Sequence, residues 1–303
     1  MKTHAPPLDD AARGRLIMRA SRAAVTVALS LLVVKLGVWL VSGSVALLGA
    51  VADSGLDLVA SGVTLVANRA ALVPADEDHR FGHGKAEALA GLAQATFVGV
   101  SAVLVGVAAV YGLFHYRPVQ RPDLGIGVSL LAVVITLGLV IYQRLVVRRT
   151  GSMSVAGDSL HYVGDLALNG AVAVAIFLSQ WGIRWADPVF GIAVALFIMN
   201  GAWGLGRDAV DVLMDRELPE SDRERIVEVA LQEPEVHGVH DLRTRRSGGH
   251  TFIQLHLDFP AEMTVREAHD IGERVEFAII DALQATEVFV HQDPVEPGGA
   301  HSH

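Results

Sequence analysis

Two pairs of ionisable residues stand four apart inside otherwise apolar sequence. Asp53 and Asp57 bracket "DSGLD" within "SVALLGAVADSGLDLVASGVTLVANRA", and His161 and Asp165 bracket "HYVGD". On a helix, positions i and i+4 stack on one face, so each pair offers two ligand atoms one turn apart. Three carboxylates and one imidazole make a tetrahedral set that suits a divalent cation, zinc above all. Either pair alone fits equally well a wet helix end, or a cap in which His161 joins Asp158 and Asp165. The repeated spacing favours a shared cation. An ionisable group near mid-bilayer costs about 2.5–3.5 kcal/mol on insertion scales, and therefore faces a cavity, a partner or an ion.

Two weaker sets lie elsewhere. "ADEDHRFGH" offers Asp76, His79 and His83 within eight residues, a spacing that binds zinc but also arises by chance in polar loops. Further on, His240, His256, His269, His291 and Asp293 are scattered, and each alone reads as an ordinary surface histidine or acid. His256 falls on the polar side of an alternating strand, and His291 shares a face with Asp293, so convergence is geometrically open. His237 and His250 match no motif and read as surface residues. The closing "EPGGAHSH" reads as a disordered end, residues 297–303.

The elements that must position these residues follow from hydropathy. The chain has 303 residues, of which 51% are hydrophobic and only 19% charged, with a mean hydropathy of +0.41. That composition indicates a membrane protein. Apolar runs near 23–42, 45–69, 86–114, 123–146, 154–179 and 187–213 each approach the roughly 20 residues a spanning helix needs. Arg13, Arg15, Arg19, Arg22, Arg69, Arg80, Lys85, Arg144, Arg148 and Arg149 flank one side of these runs, against Arg117, Arg121 and Arg184 on the other. Positive-inside counting therefore places both termini in the cytoplasm, including the polar segment 1–22, which lacks the short apolar core of a cleavable signal. Lys35, inside the first run, is expected to snorkel to an interface and carries no assigned role.

From residue 214 the pattern becomes charged and short-period: helix at 220–232, strands at 236–246 and 251–259, helix at 264–284, strand at 287–292. In "TFIQLHLDF", Ile253, Leu255, Leu257 and Phe259 alternate with Gln254, His256 and Asp258, as a half-buried strand requires. This αββαβ order predicts a small α+β domain over 214–296. The formal charge of −9 comes with no basic stripe, which argues against nucleic acid as a partner. With no cysteine, thiolate metal sites and disulfides are excluded.

The Asp-x-x-x-Asp and His-x-x-x-Asp pairs, six spans, the stretch "PADEDHRFGHGKAEALAGLAQ", and the tail segments "HDLRTR" and "HQDP" together resemble the cation diffusion facilitator family. The likeness is strongest to its bacterial ferrous-iron/zinc efflux type, a zinc/proton antiporter, and runs from about residue 20 to 294. It implies a transport site of Asp53, Asp57, His161 and Asp165, with His161 coupling protons. It implies a second metal site at Asp76, His79 and His83, and a ferredoxin-like, metallochaperone-like tail holding two Zn²⁺. The cluster would comprise His240, His256, His269, His291 and Asp293, with Asp293 bridging and Gln292 assisting. It further implies a homodimer with a Lys85–Asp215 ion pair near its interface, and residence in the lipid bilayer of a bacterial inner membrane. The resemblance admits Cd²⁺ or Fe²⁺ beside Zn²⁺, and makes the protein no enzyme. Two rivals stand beside it. An intramembrane metal-dependent hydrolase would need a water-activating Glu near His161, and a pure metal sensor would not need ligands in the bilayer; the sequence offers neither reading support.

Overall fold

The computed structural model describes residues 9–42, 45–114, 123–179, 181, 185–283 and 287–295. It divides into two compact units, Met1–Val210 and Asp211–His303. Arg117, Arg121 and Arg184, used in the charge count, and His301 and His303 lie outside the described residues.

The first unit is a helical bundle of α1 (Asp10–Ser42), α2 (Val45–Ala71), α3 (Lys85–Phe114), α4 (Asp123–Thr150), α5 (Met153–Ser179) and α6 (Ala186–Leu213). All but α5 are long and apolar enough to cross a membrane. At 27 residues α5 has the length, but Asp158, His161 and Asp165 lower its apolarity. It packs against α1, α2, α3 and α4, and Asp158 and His161 are buried, so its polar face turns to protein and not to lipid. Helix α1 begins well before the apolar run at 23, because Ile17, Ala20 and Ala24 continue its buried face into the segment expected to be a polar lead.

Large side chains face outward: Leu40, Val66, Leu104, Phe114 and Trp203 are exposed. Small ones fill the interior, with Ala24 packed on Leu139 and Tyr162, and Ala102 and Ala202 between α3 and α6. This is the arrangement expected where lipid solvates the exterior and helices associate through close packing. Gly157 is one required close approach, since a Cβ there would lie 2.7 Å from Gln94 Cβ on α3.

In the second unit α7 (Glu220–Ala230) precedes β1 (Gly238–Ser247), β2 (His250–Pro260), α8 (Val265–Leu283) and β3 (Glu287–Val295). The sheet order is β1-β2-β3, with β1–β2 antiparallel and β2–β3 parallel, so α8 forms the crossover. Ile253, Leu255, Leu257 and Phe259 join Ile226, Val229, Ile271, Val275 and Ile279 in one core. The helices therefore cover one face of the sheet, and the residues alternating with that set occupy the other. Pro294 extends β3 beyond the expected end, and it is tolerated because β3 is an edge strand.

Candidate metal centres

Asp57 on α2 and His161 on α5 meet inside the bundle. His161 Nε2 lies 2.8 Å from Asp57 Oδ1 and 3.7 Å from Asp165 Oδ2. One ligand atom from each of the three falls within 4.8 Å of the others. Asp57 and His161 are each 8% exposed, and Phe97 stands edge-on to the imidazole at 5.5 Å. Asp53 lies one turn along α2, exposed, and outside this group. The fold thus gathers three of the four expected ligands and leaves the fourth on the open side.

Several partners of this site were not read from the sequence. Lys35 does not snorkel: its Nζ donates to Ser54 Oγ at 2.6 Å, and Ser54 is buried beside Asp53. Ser61 donates to Asp158 Oδ1 at 2.8 Å, Gln143 Nε2 donates to Asp158 Oδ2 at 2.6 Å, and the Tyr162 hydroxyl lies 3.0 Å from Ser61 Oγ. Gln94 donates to Thr64 and to the Ala60 carbonyl, and Asn68 links Ser21 to Ser154. Arg13 pairs with buried Glu87 at 3.0 Å while its Nε donates to the Thr150 carbonyl, and Glu87 also accepts from Met153 N–H. The signal for these contacts is weak in sequence, because single polar residues in apolar helices do not name their partners.

The α2–α3 loop brings Asp76, His79 and His83 together. Asp76 Oδ1 accepts from the backbone N–H of His79 at 2.6 Å and of Asp78 at 3.1 Å, an Asx-type turn. Gly82, at φ 73°, takes the left-handed conformation that returns the chain to His83. The His79 backbone bond, chiefly, holds the Asp76 carboxyl below the usual range, with the two histidines adding to it. His83 Nδ1 lies 3.3 Å from the Val73 carbonyl, which can only accept. That contact orients the ring, turning Nε2 toward Asp76 Oδ2 at 3.5 Å, where the two would share a metal.

In the tail, strand register builds the cluster. His240, His256 and His291 stand opposite one another across the three strands, with ring centroids 5.1 and 4.6 Å apart. Two residues along the same face, Gly238, Asp258 and Asp293 form the next rung. Asp293 Oδ2 lies 2.7 Å from His256 Nδ1 and 3.3 Å from His240 Nε2, and its Oδ1 lies 3.2 Å from His291 Nε2. One carboxylate thus touches three imidazoles, as a bridging ligand would. Partial burial works to raise its carboxyl, but the His256 hydrogen bond and the charges of His256, His291 and His240 outweigh that and hold it below the usual range.

Asp258 was missed as a ligand, although it sits two residues after His256 on the polar side of an alternating strand. Its Oδ1 lies 3.2 Å from His240 Nε2, and it completes a group with His240 and Asp293. Gly238 makes room, since a Cβ there would come within 2.3 Å of Asp258 Oδ2. Two expected members do not converge. His269 is exposed on α8 and outside every ligand group. Gln292 alternates to the helix-covered face, beside Leu257, where its Nε2 lies 2.8 Å from the position of a Gly272 Cβ. Of the expected ion pair, Lys85 opens α3 in the first unit, and Asp215, at φ 57°, faces Arg245 at 3.6 Å in the second.

Comparison with known families and proteins matches both parts of the chain. Residues 21–214 match the cation efflux transmembrane domain, and residues 218–295 match the cytoplasmic domain of cation efflux proteins, a dimerisation module. The chain is 42% identical over 281 residues to the cation-efflux pump FieF of Salmonella arizonae, spanning 93% of this chain and 94% of that one. It is 44% identical over 291 residues to the cation-efflux pump FieF of Yersinia pestis, spanning 95% and 97%. The tail is also similar to a solved MamM CTD, at 31% identity over 25% of this chain and 98% of that one, with a TM-score of 0.25.

Proposed function

The chain belongs to the cation efflux family, and from that premise we propose that it exports Zn²⁺ from the cytoplasm in exchange for protons. Family members are transporters and not enzymes, so the hydrolase reading is set aside. The observation that carries the proposal is the convergence of Asp57, His161 and Asp165 inside the helical bundle, where α5 packs among helices long and apolar enough to cross a membrane. Asp53 completes the set when its helix face closes on the ion. The imidazole favours zinc over harder ions, with Cd²⁺ and Fe²⁺ as alternative cargo.

Three carboxylates and a neutral His161 carry three negative charges, enough to draw a dication out of water. A ligand must be deprotonated to bind metal, so protonation of His161 on the outer side competes with the ion and releases it. His161 is suited to this because its unperturbed pKa of about 6.5 lies within the pH range a cell maintains. Both termini face the cytoplasm of a bacterium, across its inner membrane.

Asp76, His79 and His83 form a second, loop-borne zinc site. The tail cluster of His240, His256, His291 and Asp293, joined by Asp258, holds regulatory zinc. Metal there neutralises an acidic surface and lets two tails of a homodimer approach, shifting the population toward a transport-competent state. The test of the transport reading is zinc flux into liposomes against an imposed pH gradient. His161→Ala should lose both flux and its pH dependence, and unchanged proton-coupled flux in that variant would overturn the assignment.

A further inference from the structure

The bundle is sealed unevenly about the Asp57–His161 pair. Toward one end Asp53 and Asn169 are exposed, and the Asp165 side chain is 32% exposed. Toward the other, where α2, α4 and the start of α5 lie, Ser61, Thr64, Asn68, Gln94, Gln143, Ser152, Ser154 and Asp158 are all 3% exposed or less. That seal is polar, although an apolar one would shut the bundle as well. The hydrogen bonds that close it run between helices: Ser61 and Gln143 to Asp158, Gln94 to Thr64, and Ser154 to Asn68.

Among the described residues two carboxylates lie buried in this half, and they differ. Glu87 is neutralised by Arg13. Asp158, 1% exposed, has only the neutral donors Ser61 and Gln143, and none of the described Lys, Arg or His side chains lies within ion-pairing distance. Beside it Gln143 Oε1, on a side chain that is 0% exposed, has no hydrogen-bond partner. A lone buried carboxylate next to an unpartnered buried carbonyl oxygen is costly unless a positive charge visits. Asp158 is three residues before His161, one turn closer to the sealed end.

We propose that Asp158, with Gln143 Oε1 and Ser61 Oγ, is a way-station for the transported divalent cation on its way to Asp57 and His161. When α2, α4 and α5 part on this side, the Ser61 and Gln143 hydrogen bonds to Asp158 open, and the Asp158 carboxylate, Gln143 Oε1 and Ser61 Oγ become hard ligands for a partly dehydrated ion. When the ion moves on to Asp57, the hydrogen bonds reform and shut the path behind it. One set of groups thus serves as both inner gate and inner ligand. The inference builds on the export reading above and adds a residue to it.

Asparagine at this position discriminates a charge role from a structural one. In Asp158→Asn the new amide N–H₂ replaces an acceptor, but Gln143 flips its own amide to present Oε1, so the hydrogen bonds to Ser61 and Gln143 are both kept. A purely structural or permanently protonated Asp158 would tolerate this change. The experiment uses the full chain in zinc-loaded liposomes, with chelator competition to measure binding at the Asp57–His161 site. Asp158→Asn should slow flux about tenfold or more while zinc affinity stays within about twofold of the parent. Flux within about twofold of the parent would overturn the proposal. Asp158→Glu retains the charge on a longer arm and is the second variant. Glu faster than Asn supports the charge role whether or not Asn loses stability; Glu equal to or slower than Asn overturns it in favour of packing. The parent chain and Asp57→Asn separate the two levels: no zinc flux in the parent removes the export reading itself, normal flux in Asp57→Asn removes the Asp57–His161 site and the way-station that feeds it, and loss in Asp57→Asn with normal flux in Asp158→Asn removes only the way-station.

Discussion

In the bundle, Asp57 and His161 come from two helices and are walled by Phe97 and buried Tyr162. In the tail, His240, His256, His291, Asp258 and Asp293 come from three strands and stand half-open to water on one sheet face. The difference in setting teaches what each site is built to do. A carboxylate within hydrocarbon depends on the arriving ion for its charge balance, so binding there is bound up with moving the ion. Asp57 has one imidazole at 2.8 Å and little water about it, whereas Asp293 has three imidazoles and the solvent of an open sheet face. Binding there can be weaker, reversible and regulatory.

Breaking the comparison at its strongest point means neutralising the buried side. Asp57→Asn should abolish zinc flux, by about a hundredfold or more, while helical content and detergent solubility are kept. Flux that survives would remove the distinction between the two sites. Next in size, deleting residues 216–303 should slow transport by about tenfold without abolishing it, since the deleted part would set a population and not the path. Equal transport in liposomes after that deletion would deny the tail any regulatory part.

Smaller changes sharpen the tail alone. His256→Ala removes the residue at the centre of the three-imidazole rung and should cost the full chain its tail-bound zinc, read as metal per chain after dialysis, with flux falling only several-fold. Gly238→Ala should weaken tail zinc by about tenfold in chelator competition, because the new Cβ displaces Asp258 from His240. An unaltered affinity would remove Asp258 from the ligand set. The smallest effect is on pH. Asp293 is held below its ordinary carboxyl range by the imidazoles, so its folded pKa is depressed relative to the unfolded chain. Its contribution to stability is then present above about pH 4, the unfolded value, and is lost as pH falls through the lower folded value. Hydrogen exchange at residues 252–259 of the full chain should quicken only below about pH 4 on this account, and Asp293→Asn should flatten that loss.

How much could be read from the sequence follows from how each contact is made. The pairs Asp53/Asp57 and His161/Asp165 were visible because helical stacking is a local property with a fixed period. The β2 faces were visible because alternation is equally local, and the core bears it out from Ile253 to Phe259. Asp258 lay in plain view on the same face as His256 but carried no motif. Gln292 was misplaced against its own strand's alternation, which puts it with Leu257 and away from His291. Lys35 was read by hydropathy alone, whereas Ser54 on the neighbouring helix supplies its partner.

Composition, apolar run lengths and residue spacing by themselves determined a polytopic membrane chain with an αββαβ tail, two ligand pairs in hydrocarbon and no thiolate chemistry. Tertiary structure decided which side chains meet: Asp57 with His161 but not yet Asp53, Asp293 with three histidines but not His269, and Asp158 with Ser61 and Gln143. The physical reason is that periodicity fixes the face on which a residue stands, since backbone geometry is the same for every sequence. Which faces come into contact depends on packing between distant segments, and on single placements such as Gly157 and Gly238 that let them approach.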